Sequence, residues 1–388
     1  MRILSIHSRY KIRGGEEEVF EAEINLLRQK GHFVDVYEDS NARIDKLTKV
    51  NLALRTIWSQ EAYQEVGDRL TANFYDIVHV HNFFPLISPS IYYAAKSRGV
   101  PVVQTLHNYR LLCPNGLFFR NGKVCEDCLG KSIPWSGAWH SCYRGNQAAS
   151  TATVAMLSLH RAIGTWSKLV DKYIVLTEFA KQKFLQGGLP VDKIVVKPNF
   201  VTPNPQIGLG QGGYMLYVGR LSVEKGIDTL LSAWELLPNK VPLKIVGDGP
   251  LSGEVLKATK RLPQIEWLGR KPIEQVYDLM GDAIAVIIPS KWYETFGRVA
   301  VEAFAKGTPV IASNLGAIAE VVDFDRLGLC FNPGDAFDLA TKVQLLIENP
   351  NKLVSMRAEA RKEFATKYTA EINYRKLISI YRNLGKQS

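Results

Sequence analysis

The sequence predicts an α/β protein of two doubly wound domains, each a parallel sheet covered on both faces by helices. Three observations predict it. Strand-like apolar runs alternate with helix-length amphipathic stretches from end to end. The alternation occurs twice, on either side of a stretch rich in Pro, Gly and Asn at 198–213. The chain has 388 residues, and domains of roughly 100–200 residues make that two.

In the first half the strands are expected at 2–7, 32–37, 77–81, 102–107 and 173–176, with helices such as 16–30 and 91–98 between them. In the second half strands at 214–218, 243–246, 285–288 and 309–312 alternate with helices at 227–236, 273–280 and 298–305. The boundaries that follow are an N-terminal domain over 1–197 with a Cys-rich insert at 113–142, a linker over 198–213, and a C-terminal domain over 214–365. A final helix over 366–388 is expected to pack back on the N-terminal domain. Open α/β sheets bind ligands at the carboxyl ends of their strands, so the site is expected there.

Bulk properties narrow the function. Apolar residues make up 46% and charged residues 22%, an ordinary soluble balance. No apolar run reaches the roughly 18 residues needed to span a bilayer, and the apolar start is too short for a signal-peptide core. A cytoplasmic protein is expected. The net charge is +10, spread along the chain and not gathered into an arm. There is no stacked-aromatic RNA motif and no helix-turn-helix signature, so no nucleic-acid partner is expected. The charge suits diphosphate binding and weak attraction to the inner face of an anionic membrane. Residues 41–55 carry Arg43, Lys46, Lys49 and Arg55 between Ile44, Leu47, Val50, Leu52 and Leu54. As one amphipathic helix this segment would lie in the lipid interface; the competing expectation is that its apolar residues pack on the sheet.

The chemistry-bearing residues come in two groups. An apolar strand ends in Pro289-Ser290, a loop presents Glu294, and a helix begins near Gly297 with Glu302 in its first turns. Free amides at a helix start, with the positive end of its dipole, favour an anion. A second carboxylate suits ribose or sugar hydroxyls. The other group follows the strand at 214–218: Arg220 at its end and Lys225 five residues later. Two cations there would clamp a diphosphate and offset its charge as it leaves, with no metal.

These groups, with Gly219-Arg220, Glu224-Lys225-Gly226, Gly247-Asp248-Gly249-Pro250, Pro198-Asn199 and Gly307-Thr308-Pro309, stand in one order and spacing. That order resembles the retaining glycosyltransferases of family 4, a bacterial-type group 1 family with the GT-B fold of two Rossmann-like domains facing a central cleft. The resemblance implies that Arg220 and Lys225 bind the donor diphosphate and that Glu302 receives the nucleotide ribose. It implies that Glu294, with the amides of Phe296 and Gly297, holds the donor sugar. Gly14-Gly15 resembles the family's glycine-rich loop by the donor phosphates, although Glu16, Glu17 and Glu18 follow at once and would repel phosphate if they faced it. His107 matches the histidine beside the donor sugar. The base is expected against Gly269-Arg270-Lys271, which would accommodate uridine or guanosine.

Asp323-Phe324-Asp325 spells the metal motif of the other large glycosyltransferase fold, but it follows a helical run and reads as a polar turn. There is no Walker-type loop and no clean Gly-x-Gly-x-x-Gly after a strand. Cys113, Cys125, Cys128 and Cys142 fall within thirty residues and include a Cys-x2-Cys knuckle. In a cytosolic chain that set predicts a structural tetrahedral zinc, with His140 as an alternative ligand. The competing reading is four reduced thiols. Cys330 reads as an ordinary buried thiol.

The reaction implied is transfer of a sugar from a UDP- or GDP-sugar to an acceptor hydroxyl, with the anomeric configuration retained and no catalytic metal. The acceptor class implied is a saccharide or lipid-linked sugar of cell-surface polysaccharide or glycolipid synthesis. The alternatives are another GT-B enzyme, such as a nucleotide-sugar epimerase or a sugar-phosphate synthase, and a non-catalytic nucleotide-sugar-binding protein.

Overall fold

The computed structural model describes residues 1–238 and 241–385. They form two compact units. The first holds Met1–Phe118, Glu126–Lys197 and the C-terminal segment from Asn373; the second holds Phe119–Cys125 and Pro198–Ile372.

In chain order the first unit contributes β1 (Arg2–Arg9), β2 (Phe33–Ser40), β3 (Ile77–Asn82) and β4 (Val102–Thr105). A short hairpin, β5 (Phe119–Arg120) with β6 (Lys123–Val124), interrupts the Cys-rich stretch. β7 (Lys172–Val175) and β8 (Ile194–Val196) complete the sheet. Its order is β2-β1-β3-β4-β7-β8 and every pairing is parallel. All six residues of β3 are buried, as expected of a central strand covered on both faces. The helix Gly15–Gln29 lays Phe20, Ile24 and Leu27 on this sheet beside Ile3, Val34, Ile77 and Val103. The C-terminal helix Ala370–Gly385 adds Leu377, Ile378, Tyr381 and Leu384 to the same core.

The second unit holds β9 (Met215–Val218), β10 (Leu243–Val246), β11 (Ile265–Gly269), β12 (Ala285–Ile288), β13 (Val310–Ser313) and β14 (Gly328–Phe331). Their order is β11-β10-β9-β12-β13-β14, again all parallel. Counted within the unit, that is 3-2-1-4-5-6, the dinucleotide-binding order, with its topological switch between β9 and β12. Helix Ile227–Leu236 buries Leu230 and Trp234 against Tyr217, Leu243 and Ile245.

Two expectations from sequence change here. The stretch at 198–213 is not a free linker. The amides of Gly208, Gly210 and Gly212 donate to the carbonyls of Lys306, Gly281 and Asp282 at 2.9 Å each, and Arg357 donates to the Gly208 carbonyl at 2.8 Å. Its glycines serve close packing on the second unit. Nor is 41–55 one helix. A 3-10 turn, Asn41–Lys46, stops at an extended Leu47, and a separate helix, Lys49–Ile57, starts on the Thr48 cap. Two of the basic residues are engaged: Arg43 and Arg55 both reach Asp39 and Glu61.

Candidate donor and sugar site

In the second unit the charged residues sit on the loops that leave the switch point. β9 and β12 pair with Ala285 opposite Met215 and Ile287 opposite Tyr217. Beyond β9, Arg220 is exposed and, among the described residues, has no carboxylate partner. Its carbonyl accepts from the Tyr217 hydroxyl at 2.9 Å. Lys225 closes a 3-10 turn, Val223–Lys225, and Gly226 follows at φ 72°. A Cβ on Gly226 would stand 1.8 Å from the Pro289 carbonyl oxygen, and one on Gly247 would stand 1.8 Å from that of Gly219. Only glycine lets the loops after β9, β10 and β12 meet this closely.

That closeness pairs the two chemical groups. Lys225 Nζ lies 2.8 Å from Glu294 Oε1, and Ser290 Oγ donates to the same oxygen at 2.5 Å. Burial alone would raise the Glu294 carboxyl. The Lys225 ammonium, its hydrogen bond and the Ser290 hydroxyl outweigh burial and hold it below the usual carboxylate range. Gly297, at φ 85°, caps the helix Arg298–Ala305. Glu302 is buried one turn in, with Arg298 Nε 2.8 Å from its Oε1. The Phe296 ring is buried edge-on to Tyr368, which leaves its backbone as the part that can meet a ligand. Arg270 and Lys271 are exposed on the loop after β11, Arg270 Nε 3.6 Å from Asp248 Oδ2.

In the first unit a small cleft is lined by Tyr10, His81, Phe84, His107, Asn108 and Arg110 among others. His107 stands two residues beyond the end of β4, and its Nε2 lies 3.0 Å from His81 Nδ1. Burial pushes both imidazoles down to about 3, so both rings are neutral at ordinary pH. Gly14 caps the first helix, but the acids after it turn inward. Glu17 Oε2 accepts from the Gly14 amide at 2.7 Å, and Glu16 takes the Tyr10 hydroxyl at 2.9 Å and lies 3.3 Å from His7. The Gly14 amide is thus engaged by a carboxylate of its own helix. His81, which lines this cleft, and Glu23, His79 and Lys197 are all buried, and none was singled out from sequence. The visible signal was the His-x-His pair that alternates with the apolar residues of β3.

The other expectations resolve simply. Asp325 sits at φ 62° in a turn, paired with Lys352, and Asp323 pairs with Arg326. All five cysteines are free thiols. Cys113 Sγ donates to Asn115 and Cys128 Sγ to the Pro134 carbonyl. Among the described residues, Cys113, Cys128 and Cys142 do not converge as metal ligands; the group that does is Glu23, His79 and His81. Burial raises the Cys330 thiol. No described helix is long and apolar enough to cross a membrane.

Two family models match the chain, one to each half: Glycosyltransferase Family 4 over residues 13–204, and Glycosyl transferases group 1 over residues 206–363. The chain is a group 1 glycosyltransferase of the GT-B fold. Among its relatives, a glycosyltransferase of Methanocaldococcus jannaschii is 31% identical over 55% of this chain and 60% of its own length. A sulfoquinovosyl transferase of Arabidopsis thaliana is 29% identical over 45% of this chain. The matched stretch spans only 35% of that relative, so in both cases less than two thirds of the relative is covered. The crystal structure of Anabaena HepE in complex with UDP-glucose superposes with a TM-score of 0.70 at 18% identity, covering 99% of this chain and all of its own.

Proposed function

We propose that this glycosyltransferase moves a sugar from a nucleoside-diphosphate sugar to an acceptor hydroxyl with retention of configuration. The observation that carries the reading is the Lys225–Glu294 pair at the strand switch point, with Arg220 exposed on the same loop as Lys225. Arg220 and Lys225 take the diphosphate, whose negative charge grows as it leaves. Glu294 and the amides of Phe296 and Gly297 hold the sugar, and Glu302 takes the ribose. Gly15 approaches the phosphates by its backbone, and Arg270 and Lys271 border the base. UDP is the favoured nucleotide, because a fold neighbour holds UDP-glucose.

In the step itself the anomeric carbon–phosphate oxygen bond breaks and the acceptor oxygen bonds to that carbon on the same face. The acceptor proton passes to the departing phosphate oxygen. Arg220 and Lys225 stabilise that oxygen's charge, which supplies the role a divalent ion plays elsewhere. His107 holds a hydroxyl of the sugar. Slow release of UDP from UDP-glucose without acceptor, in EDTA, tests the reading; no release under any acceptor or nucleotide-sugar condition would favour a binding protein.

The acceptor is proposed to be a saccharide or a lipid-linked sugar. Contact with an anionic membrane rests on Lys46 and Lys49 with exposed Val50 and Leu54, at 68% and 61%, since Arg43 and Arg55 are engaged. Each basic residue near anionic lipid adds only about 1 kcal/mol. Co-sedimentation with anionic but not neutral vesicles, released by salt, supports that contact; equal partitioning removes it.

A further inference from the structure

A buried polar chain outside the donor machinery ends on His107. Lys197 Nζ donates to Glu23 Oε2 at 2.8 Å and to Asn373 Oδ1 at 3.1 Å. The other oxygen of Glu23, Oε1, lies 3.3 Å from His81 Nε2 and 3.2 Å from His79 Nδ1. His81 Nδ1 then lies 3.0 Å from His107 Nε2, with the two rings stacked at 18°. Glu23, His79 and His81 bring three ligand atoms within 4.8 Å of one another, but the Lys197 ammonium already supplies the cation at that carboxylate. The arrangement is a charge-anchored relay, not a metal centre.

The proton positions follow from donor and acceptor chemistry. With Lys197 beside it, Glu23 is held well below the usual carboxylate range against the burial that would raise it, and an ionised carboxylate only accepts. His81 Nε2 faces that carboxylate. The contact falls outside hydrogen-bond geometry, so its weight is electrostatic, and a bare nitrogen there would set two lone pairs against each other. Nε2 therefore carries the one proton of a neutral imidazole, and Nδ1 is bare. A bare Nδ1 accepts, so His107 Nε2 donates to it.

We propose that Glu23 and His81 are positioning residues that hold His107 in its Nε2–H tautomer, leaving Nδ1 as a hydrogen-bond acceptor for a donor-sugar hydroxyl. The role at the sugar rests on the reading of His107 given above; the tautomer does not. Glu16 and His7 also act on His107, and Tyr10 and Arg110 line the same cleft. Glu16 is held by the Tyr10 hydroxyl and lies 3.3 Å from His7. In this arrangement His107 orients a hydroxyl; it does not deliver a proton.

The test is nitrogen-15 NMR of the histidines in the intact protein near neutral pH, with His107 assigned by the signals lost in His107→Gln. The expected result is a protonated Nε2 and a bare Nδ1. The opposite tautomer, or a doubly protonated ring, overturns the proposal. Replacing Glu23→Gln together with Lys197→Met removes both buried charges at once and offers His81 an amide donor; the Nε2–H form of His107 should then lose its dominance, and an unchanged tautomer overturns the part given to Glu23. For function, His81→Leu should lower kcat/KM for UDP-glucose hydrolysis at least about tenfold, while UDP still raises Tm. His81→Asn, which keeps an acceptor where Nδ1 was, should recover most of that loss. If His107→Ala is itself as active as the parent, the placement of His107 at the sugar falls. If His107→Ala is impaired and His81→Leu is not, the positioning role falls alone.

Discussion

Lys225 Nζ and Glu294 Oε1, contributed by loops after two different strands, meet at 2.8 Å and join the two charged groups of the second unit into one site. The pair separates binding from stability in a way that Arg220 does not. Arg220→Ala should lower kcat/KM by at least ~10²-fold, as loss of a transition-state charge stabiliser does, with Tm unchanged because the side chain is exposed. Lys225→Ala should lose as much activity and also cost about 1–3 kcal/mol, since a buried carboxylate is left without its cation. Steady-state kinetics with thermal unfolding on both variants checks the split.

The glycines that hold these loops together make the site fragile in a specific way. Gly226→Ala and Gly247→Ala each drive a Cβ to 1.8 Å of a backbone oxygen, at φ 72° and 137°. Backbone cannot yield as a side-chain tip does. Each variant should lose about 1–3 kcal/mol and most of its affinity for UDP. Gly14→Ala, which meets nothing within 4 Å, should be close to neutral in stability. Denaturant unfolding and UDP titration of the three variants measure the contrast.

Acid should unfold the protein through the first unit. His81 and His107 are held near 3 in the folded state, below the ordinary value of about 6.5. The unfolded chain therefore binds protons first, and stability present above pH 6.5 is lost as pH falls toward 3. One histidine kept neutral costs about 3 kcal/mol between pH 6.5 and 4. Glu23 and Glu16, both lowered, lose stability in the same direction at lower pH. Unfolding free energy measured from pH 7 to 4 should fall steadily, and His81→Leu should flatten that fall.

Zinc is a separate question from catalysis. Binding of a structural ion by Cys113, Cys125, Cys128 and Cys142 remains a proposal, and it would require rotation of thiols that now hydrogen-bond to Asn115 and the Pro134 carbonyl. Elemental analysis of protein purified without chelator should give close to one zinc per chain. None would leave four reduced thiols, with the insert ordered by its own packing.

Much of the fold was legible because buried parallel strands such as β9 and β12 are unbroken apolar runs. The less regular strands were not. β11 exposes Glu266 and β14 opens on a glycine, so neither shows a clean apolar pattern. Charged groups at strand ends were also readable: Arg220, Lys225 and Glu294 stand on loops of one sheet, and Glu302 stands in the helix that follows the Glu294 loop. What sequence could not supply was partnership across long separations. Lys197 meets Glu23 across 174 positions, and Tyr381 meets His79 across 302. Each such residue alone looks like a surface charge or a core filler. The glycines of 198–213 misled for a related reason: the same residue that loosens an isolated chain permits backbone contact in a folded one.

The central claim is that Arg220 and Lys225 hold a nucleoside diphosphate at the switch point without a metal. Calorimetric titration of UDP into the protein in EDTA, beside the Arg220→Ala and Lys225→Ala variants, tests it most directly. Binding that persists in EDTA and weakens at least about tenfold in each variant is the predicted result. Binding that vanishes in EDTA and returns with Mg²⁺, or that is equally tight in both variants, would contradict the account.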